Sequence, residues 1–206
     1  PAAQDPGRDA AGIDLPALME EARSQLHAEA DYLREAEQMQ RYALHLAGQP
    51  EFLLPEPDAE FTTPDVLAMT YIDSRPIETL AEAPQPVRDK AAASLARLVL
   101  DELFRFNLMQ TDPNFANYRW QPESGRIVLL DFGATRSFSS SVAPDYLRLL
   151  TAALANDQAD VRQAAIDIGY FRSGTEQVHQ DMLMQMMDLA FAPLRAGGVF
   201  DVAATD

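Results

Sequence analysis

A mainly α fold with a small β element is what this sequence predicts, and three features predict it. Apolar residues recur at three- and four-residue steps through most of the 206 residues. The stretches that read as strands are short, and prolines cluster between residues 50 and 64, where no helix can continue. Little sheet is left to build a core of its own, so helices must supply most of it.

The elements follow in order. Pro1 to Gly12 is rich in Ala, Asp, Gly and Pro and reads as a flexible lead-in, extending to about residue 14. Leu15, Leu18, Met19, Ala22, Leu26, Leu33, Ala36, Met39 and Ala43 mark a long amphipathic helix that ends near Gly48 and Pro50. The prolines at 50, 55, 57 and 64 forbid its continuation. Phe52 to Leu54 reads as a short strand. Val66 to Ile72, β-branched and apolar, reads as a buried strand broken by Asp73-Ser74-Arg75-Pro76. A second helix runs from about Pro86 to Phe106 with the stripe Val87, Ala91, Leu95, Leu98, Val99 and Leu103. Its prolines stand at the start, where they are tolerated. Leu108 to Asn117 reads as a loop. Tyr118 to Trp120 and Arg126 to Leu130 read as a hairpin around Gln-Pro-Glu-Ser-Gly. Asp145 to Ala155, Gln158 to Ile168 with Gly169 as its C-cap, and Glu176 to Leu194 read as the closing helices.

Composition narrows the function. Apolar residues make up 47%, enough to bury a core. There is no cysteine, which excludes disulfides and thiolate metal sites, and the three histidines (His27, His45, His179) lack ligand spacing. With 32 acidic and 16 basic residues the net charge is −16, which repels phosphate backbones and argues against a nucleic-acid partner. No run reaches the roughly 18 apolar residues of a membrane span, and no secretory signal pattern is present. The expected location is the cytoplasm, with peripheral membrane contact. A start at Pro1 reads as a processed chain or a piece of a longer one.

The chemistry lies in Asp112-Pro-Asn-Phe-Ala-Asn117 followed by Leu130-Asp131-Phe132-Gly133. An Asp and an Asn five apart on a loop, then Asp-Phe-Gly after a short hairpin, is the arrangement kinases use. Asp112 would orient or deprotonate an attacking hydroxyl. Asn117 offers an amide oxygen, and Asp131 a carboxylate, to magnesium, which takes oxygen donors and few protein contacts. The hairpin returns Asn117 and Asp131, 14 residues apart, to one place. On the first helix, Glu29 lies on the edge of the apolar stripe, where a kinase places the glutamate that pairs with its phosphate-binding lysine, whereas Asp31 and Glu35 are expected to point elsewhere.

His-Ala-Glu29-Ala-Asp-Tyr-Leu-Arg-Glu35-Ala, Met109-Gln-Thr-Asp-Pro-Asn-Phe-Ala-Asn-Tyr and Leu-Leu-Asp131-Phe-Gly-Ala-Thr-Arg136 resemble the UbiB/ADCK family of atypical kinases from about residue 15 onward. The resemblance implies a protein-kinase-like fold: the helical C-lobe with the Glu-bearing helix, and an N-lobe largely missing. It implies ATP or ADP and Mg2+ as cofactors, an ATPase-type activity, and a role in ubiquinone biosynthesis, often at a membrane and with other quinone-biosynthesis proteins. Position by position it makes Glu29 the lysine partner, Asp112 the catalytic-loop aspartate, and Asn117 and Asp131 the metal ligands. Residues 67–76 resemble the hinge, so Met69, Thr70, Tyr71 and Ile72 would meet the adenine. On this basis residues 15–72 are a remnant of the N-lobe and 73–206 the C-lobe.

The departures count equally. The family's alanine-rich loop, strand lysine and Lys-x-Gly-Gln element should precede Glu29 and are not in the sequence. Lys90 is the only lysine, and it sits beyond the hinge. The chain by itself is therefore expected to lack turnover. No Ala-Pro-Glu follows Asp131, and a helix is due by Asp145, which leaves little loop to hold a peptide and points to a small or lipid-like substrate or to plain ATP hydrolysis; the resemblance implies a quinone precursor as that small molecule. Met182, Met184, Met186 and Met187 suit adaptable packing or lipid contact. Two other readings remain: a pseudokinase-like binding module, and a phosphotransferase of the aminoglycoside kinase type. The second usually carries His-Gly where Gln110-Thr111 stands here.

Overall fold

The computed structural model describes residues 19–20, 31–171 and 174–198. The fold is mainly helical with two small sheets, as the periodicity predicts. The chain forms two compact units, the first ending at Ser137 and the second beginning at Phe138. Glu29 and the lead-in lie outside the described residues.

In the first unit, α1 spans Tyr32–Leu46. Asp31 caps it, its carboxylate accepting the N–H groups of Leu33 and Arg34. Such a cap satisfies donors that have no partner in the first helical turn. One face buries Glu35, Gln38, Met39, Tyr42 and Leu46. Their spacing of three and four residues is the signature of a single helical face. Glu35 belongs to that face, which corrects the expectation that it points elsewhere.

Four strands form the larger sheet, in the order β1, β5, β4, β2. They are β1 (Phe52–Leu53), β2 (Arg75–Pro76), β4 (Tyr118–Gln121) and β5 (Arg126–Leu129). The expected hairpin is β4–β5, with Trp120 opposite Ile127. β1 lies parallel to β5, and β2 antiparallel to β4. Arg75–Pro76 is thus a strand rather than a mere breaker. Proline is tolerated there because β2 is an edge strand. The Arg119 guanidinium donates to the Ser74 hydroxyl at 2.9 Å and to the Ser74 carbonyl, which fixes the edge.

Val66 to Ile72 is not a buried strand. It makes only isolated bridges, Thr63 with Val66 and Pro57 with Met69, and Tyr71 is 87% exposed. The physical reason is its neighbour. Pro55 and Pro57 lack N–H donors, so pairing is confined to Asp58 N–H to Ala68 C=O and Thr70 N–H to Glu56 C=O.

α2 (Gln85–Asp101) begins with proline in its first turn and runs into a π-helical turn, Glu102–Phe106, that ends at Asn107 with φ 50°. Within its stripe Ala91 and Leu98 are buried, whereas Val99 is half-exposed. The expected loop from Leu108 opens as a strand, β3 (Leu108–Gln110), paired antiparallel with β6 (Thr135–Ser137). A three-residue strand with a single partner strand has too little alternation to show in a sequence. The core of the unit joins Met39, Tyr42, Phe52, Leu98, Ile127 and Phe132.

In the second unit, α3 (Val142–Leu154), α4 (Gln158–Ile168) and α5 (Gln177–Ala196) pack around Leu149, Ala152, Ala153, Val161, Ala164 and Met184. Gly169 terminates α4 at φ 99°, its N–H reaching the carbonyls of Ala165 and Ile166. Of the four methionines on α5, Met184 is buried and Met187 packs on the core, while Met182 and Met186 are exposed.

Candidate functional site

The β3–β6 pair sets the site. It holds the Asp112 loop against the Asp131-Phe132-Gly133 turn. Thr111 donates to the Ala134 carbonyl from its hydroxyl at 2.7 Å and from its N–H at 3.3 Å. Gln110 links both aspartates: its amide donates to the Asp131 carbonyl at 2.9 Å, and its side-chain oxygen accepts the Asp112 N–H at 3.3 Å. From the other side, the Leu130 N–H donates to the Asn117 carbonyl at 3.1 Å. Asn117 is itself placed by a 3₁₀ turn, Phe115–Asn117, capped by the Asn114 side chain.

Within the turn the Asp131 carboxylate accepts the Gly133 N–H at 2.9 Å through Oδ1. The rest of that exposed carboxylate is open. Phe132 points inward, 2% exposed, with its ring 5.0 Å from the Tyr42 ring. Its N–H donates to Glu35 Oε1 at 3.1 Å. Arg34 donates to the carbonyl of Gly133 at 2.7 Å and to that of Thr135. α1 therefore grips the turn with two adjacent side chains.

A cavity of about 690 Å3 opens over this turn. Glu35, Asp65, Asp112 and Asp131 line it, as do Tyr32 and Met69. Four carboxylates on one cavity repel a free polyphosphate and attract a divalent cation. Burial pushes the Glu35 carboxyl above its usual value, the Phe132 N–H lowers it in part, the Asp131 charge raises it further, and Arg34 lowers it. Beneath the turn the Tyr42 hydroxyl donates to Glu102 at 2.9 Å. Burial pushes Glu102 up to about 7, against the pull of the Tyr42 hydroxyl and the Gln110 N–H. It pushes Tyr42 up as well, with the Glu102 charge adding to the effect.

Asp112, Asn117 and Asp131 thus sit on neighbouring loops. Asn117 and Asp131 also line a small cleft with Tyr42, Glu102 and Phe132. Among the hinge residues, Met69 lines the large cavity; Thr70, Tyr71 and Ile72 do not, and the Thr70 N–H is taken by Glu56. Glu29 lies outside the described residues. Sequence reasoning missed Glu35, Gln110 and Glu102. Glu35 had a signal: it stands at spacings of four and seven from Met39 and Tyr42, on the buried stripe rather than beside it. Among the described residues no cluster of three or more His, Asp or Glu is arranged to hold a metal ion, so any cation here would need other oxygens. No described helix is long and apolar enough to cross a membrane.

The profile of the ABC1 atypical kinase-like domain matches residues 6–165. The chain is 34% identical over 170 residues to the mitochondrial atypical kinase COQ8 of Saccharomyces cerevisiae, covering 82% of this chain and 34% of that protein. To the mitochondrial atypical kinase COQ8B of Rattus norvegicus it is 32% identical over 193 residues, covering 94% of this chain and 37% of that one. It spans about a third of the length of these relatives. The fold matches a Mycobacterium tuberculosis structure, that of Rv3197 in complex with erythromycin, with a TM-score of 0.67 at 20% identity, over 93% of this chain and 52% of the other. With the Asp112 loop, the Asp131-Phe-Gly turn and the helix that grips it in place, the chain belongs to the ABC1 atypical kinase-like family, that of UbiB and ADCK.

Proposed function

We propose that this chain carries the metal- and phosphate-facing side of a UbiB/ADCK-type atypical kinase or ATPase that supports ubiquinone biosynthesis. The observation behind this reading is the convergence of Asp112, Asp131 and Glu35 on one cavity, with Asn117 tied to the strand end that leads into Asp131. Asp112 takes the role of orienting the attacking hydroxyl or water and accepting its proton. Asn117 and the open side of Asp131 hold Mg2+; an amide oxygen and a carboxylate on adjacent loops are the hard donors it prefers. Magnesium, when bound, offsets the charge of the cavity and of the phosphates of ATP or ADP. Glu35 and Arg34 keep the turn in place. Met69 stands where the adenine side of a nucleotide would pass, with residues 70–72 continuing the hinge, and Glu29 keeps its role as lysine partner. The stretch between Gly133 and the start of α3 at Val142 is short, which favours a quinone-precursor or lipid-like acceptor over a peptide.

A binding module without turnover is the second reading, and one observation favours it. Lys90, the only lysine, lines a different cavity from Asp131. Removing a positioned charge from phosphoryl transfer costs orders of magnitude in rate. The 206-residue chain is therefore expected to bind nucleotide without hydrolysing it.

Calorimetric titration of ADP into the chain, with and without Mg2+, tests the reading. Binding should require Mg2+ and vanish in Asp131→Asn. Binding that ignores both the metal and the substitution overturns the assignment. Phosphate release that Asp131→Asn abolishes would show that the lysine is dispensable.

A further inference from the structure

A second cavity, of about 490 Å3, lies between α2 and the β4–β5 turn. Lys90, Ser94 and Arg97 face it from α2; Ser124 and Arg126 face it from the turn, and Glu51 from the chain before β1. Positions 90, 94 and 97 share one helical face by their spacing of four and three. Three cations thus converge in a chain of net charge −16.

What separates these cations from a solvated face is their lack of partners. Arg105, Arg148, Arg162 and Arg195 each hold a carboxylate, and Arg34 and Arg119 hold backbone carbonyls. Among the described residues, Lys90 and Arg97 make neither an ion pair nor a hydrogen bond, a condition shared by Arg75 alone among the other described basic residues. The Ser94 hydroxyl is unengaged as well. Arg126 gives one end of its guanidinium to the Phe52 carbonyl, and its Nε is buried without an acceptor. Glu51 lines the same cavity, yet no ion pair joins it to any of the three cations. Donors without acceptors therefore surround a space that also offers one anionic acceptor.

We infer that this cavity binds a phosphate group carried on a small soluble molecule, with Lys90, Arg97 and Arg126 matching its charge and Glu51 accepting a hydrogen bond from its O–H when it is the monoanion. The chemistry selects phosphate over sulfate. A phosphomonoester has a second pKa of about 6, so at and below that pH it keeps an O–H that a carboxylate can accept as a hydrogen bond. Sulfate has none to donate and would meet the Glu51 carboxylate with bare oxygens. The space exceeds what phosphate alone fills and falls in the range of small-molecule sites, roughly 300–1,000 Å3, so an organic portion is accommodated. The site is separate from the Asp131 cavity and does not depend on kinase chemistry there.

The test is a titration of the 15N-labelled chain with inorganic phosphate, glycerol phosphate and sulfate at about pH 6, where the phosphates keep an O–H, and at low ionic strength, where screening is weak. Saturable shifts at the Gly125 and Ser94 amides are expected with both phosphates, stronger than with sulfate. Lys90→Gln with Arg97→Gln should weaken phosphate binding by about tenfold or more; both side chains are exposed and unbonded, so the fold is retained. Glu51→Gln should abolish the preference over sulfate. Asp131→Asn should leave the binding intact, which separates this site from the nucleotide reading. Absence of saturable shifts, shifts unaffected by the double substitution, or sulfate bound as well as phosphate by the unaltered chain each overturns the proposal. Co-sedimentation with phosphatidic acid vesicles but not phosphatidylcholine ones, without binding of the soluble phosphates, would assign the patch to a lipid surface and overturn it too.

Discussion

The two units bury their interiors in different ways. The first hides charged and polar groups: Glu35, Gln38, Asp101, Glu102 and Thr135 are all buried there, most of them around the Asp131 turn. The second packs alanine, leucine, valine and methionine, and among its described residues only Gln180 is a buried polar group. Its arginines do their pairing at the surface, Arg148 with Asp160 and Asp167, and Arg162 with Asp181. Buried carboxyls cost desolvation energy that aliphatic packing does not. A fold retains them where a specific geometry matters more than stability. Here Glu35 and Glu102 lie at the turn that the helix α1 grips, while the second unit holds itself together by plain apolar burial.

The largest effect that would test this contrast is removal of the Phe132 ring. Phe132 is buried against Tyr42 and joins the polar turn to the apolar core. Phe132→Ala should cost about 3–5 kcal/mol, the usual penalty for emptying an aromatic site. Trp120, the only tryptophan, sits on β4 in the first unit and reports on that unit selectively. The substitution should lower the urea midpoint of tryptophan fluorescence. The helical signal of the second unit should respond instead to Leu149→Ala. If one substitution moves both signals together, the units unfold as one and the contrast has no thermodynamic meaning.

Next in size is the effect of pH. Glu102 is pushed from an ordinary 4.5 up to about 7 in the folded chain. Between those values the unfolded chain has released this proton and the folded chain keeps it. Stability from this group is thus complete below about pH 4.5 and falls as pH rises through 7, by an amount on the order of 3 kcal/mol. Glu35 is shifted the same way and adds to the trend. Glu102→Gln, which keeps an acceptor for the Tyr42 hydroxyl, should flatten most of the decline in the first unit. A fluorescence-monitored midpoint that does not fall between pH 5 and 7.5 in the unaltered chain would show that the buried carboxyl is hydrated or otherwise compensated.

The same contrast explains how much of the molecule was legible in the sequence. The helices of the second unit were readable: Gln158 to Ile168 and its Gly169 cap stand as the periodicity places them, while α3 begins three residues before the expected Asp145. Aliphatic packing writes itself into spacing. The β4–β5 hairpin was readable for the same reason, since its turn residues and alternation agree. The motif residues Asp112, Asn117 and Asp131 were legible as a pattern, although their separation on the chain gave no hint of what would hold them together. That support comes from Glu35, Gln110 and Glu102, polar residues whose burial contradicts the pattern by which cores are read. Val66 to Ile72 failed in the opposite sense. Its apolar composition predicts burial, but the prolines opposite it remove the donors that a sheet would need, so it remains extended and largely exposed.

The smallest effect belongs to the second unit and concerns a cap. Asp157 stands before α4, and its carboxylate accepts the Asp160 N–H at 3.1 Å. That N–H belongs to the first turn, where the helix offers no acceptor of its own. Asp157→Ala removes the acceptor and leaves the donor to water, at a cost of about 1 kcal/mol. Asp157→Asn retains the oxygen and should restore nearly all of the loss, which distinguishes the hydrogen bond from the charge. Because α4 contributes Val161 and Ala164 to the core of the second unit, the helical transition should shift in Asp157→Ala. Trp120 fluorescence, reporting on the first unit, should not. A fluorescence midpoint that moves with Asp157→Ala would mean that the second unit supports the first, and that the polar interior around Asp131 depends on apolar packing elsewhere in the chain.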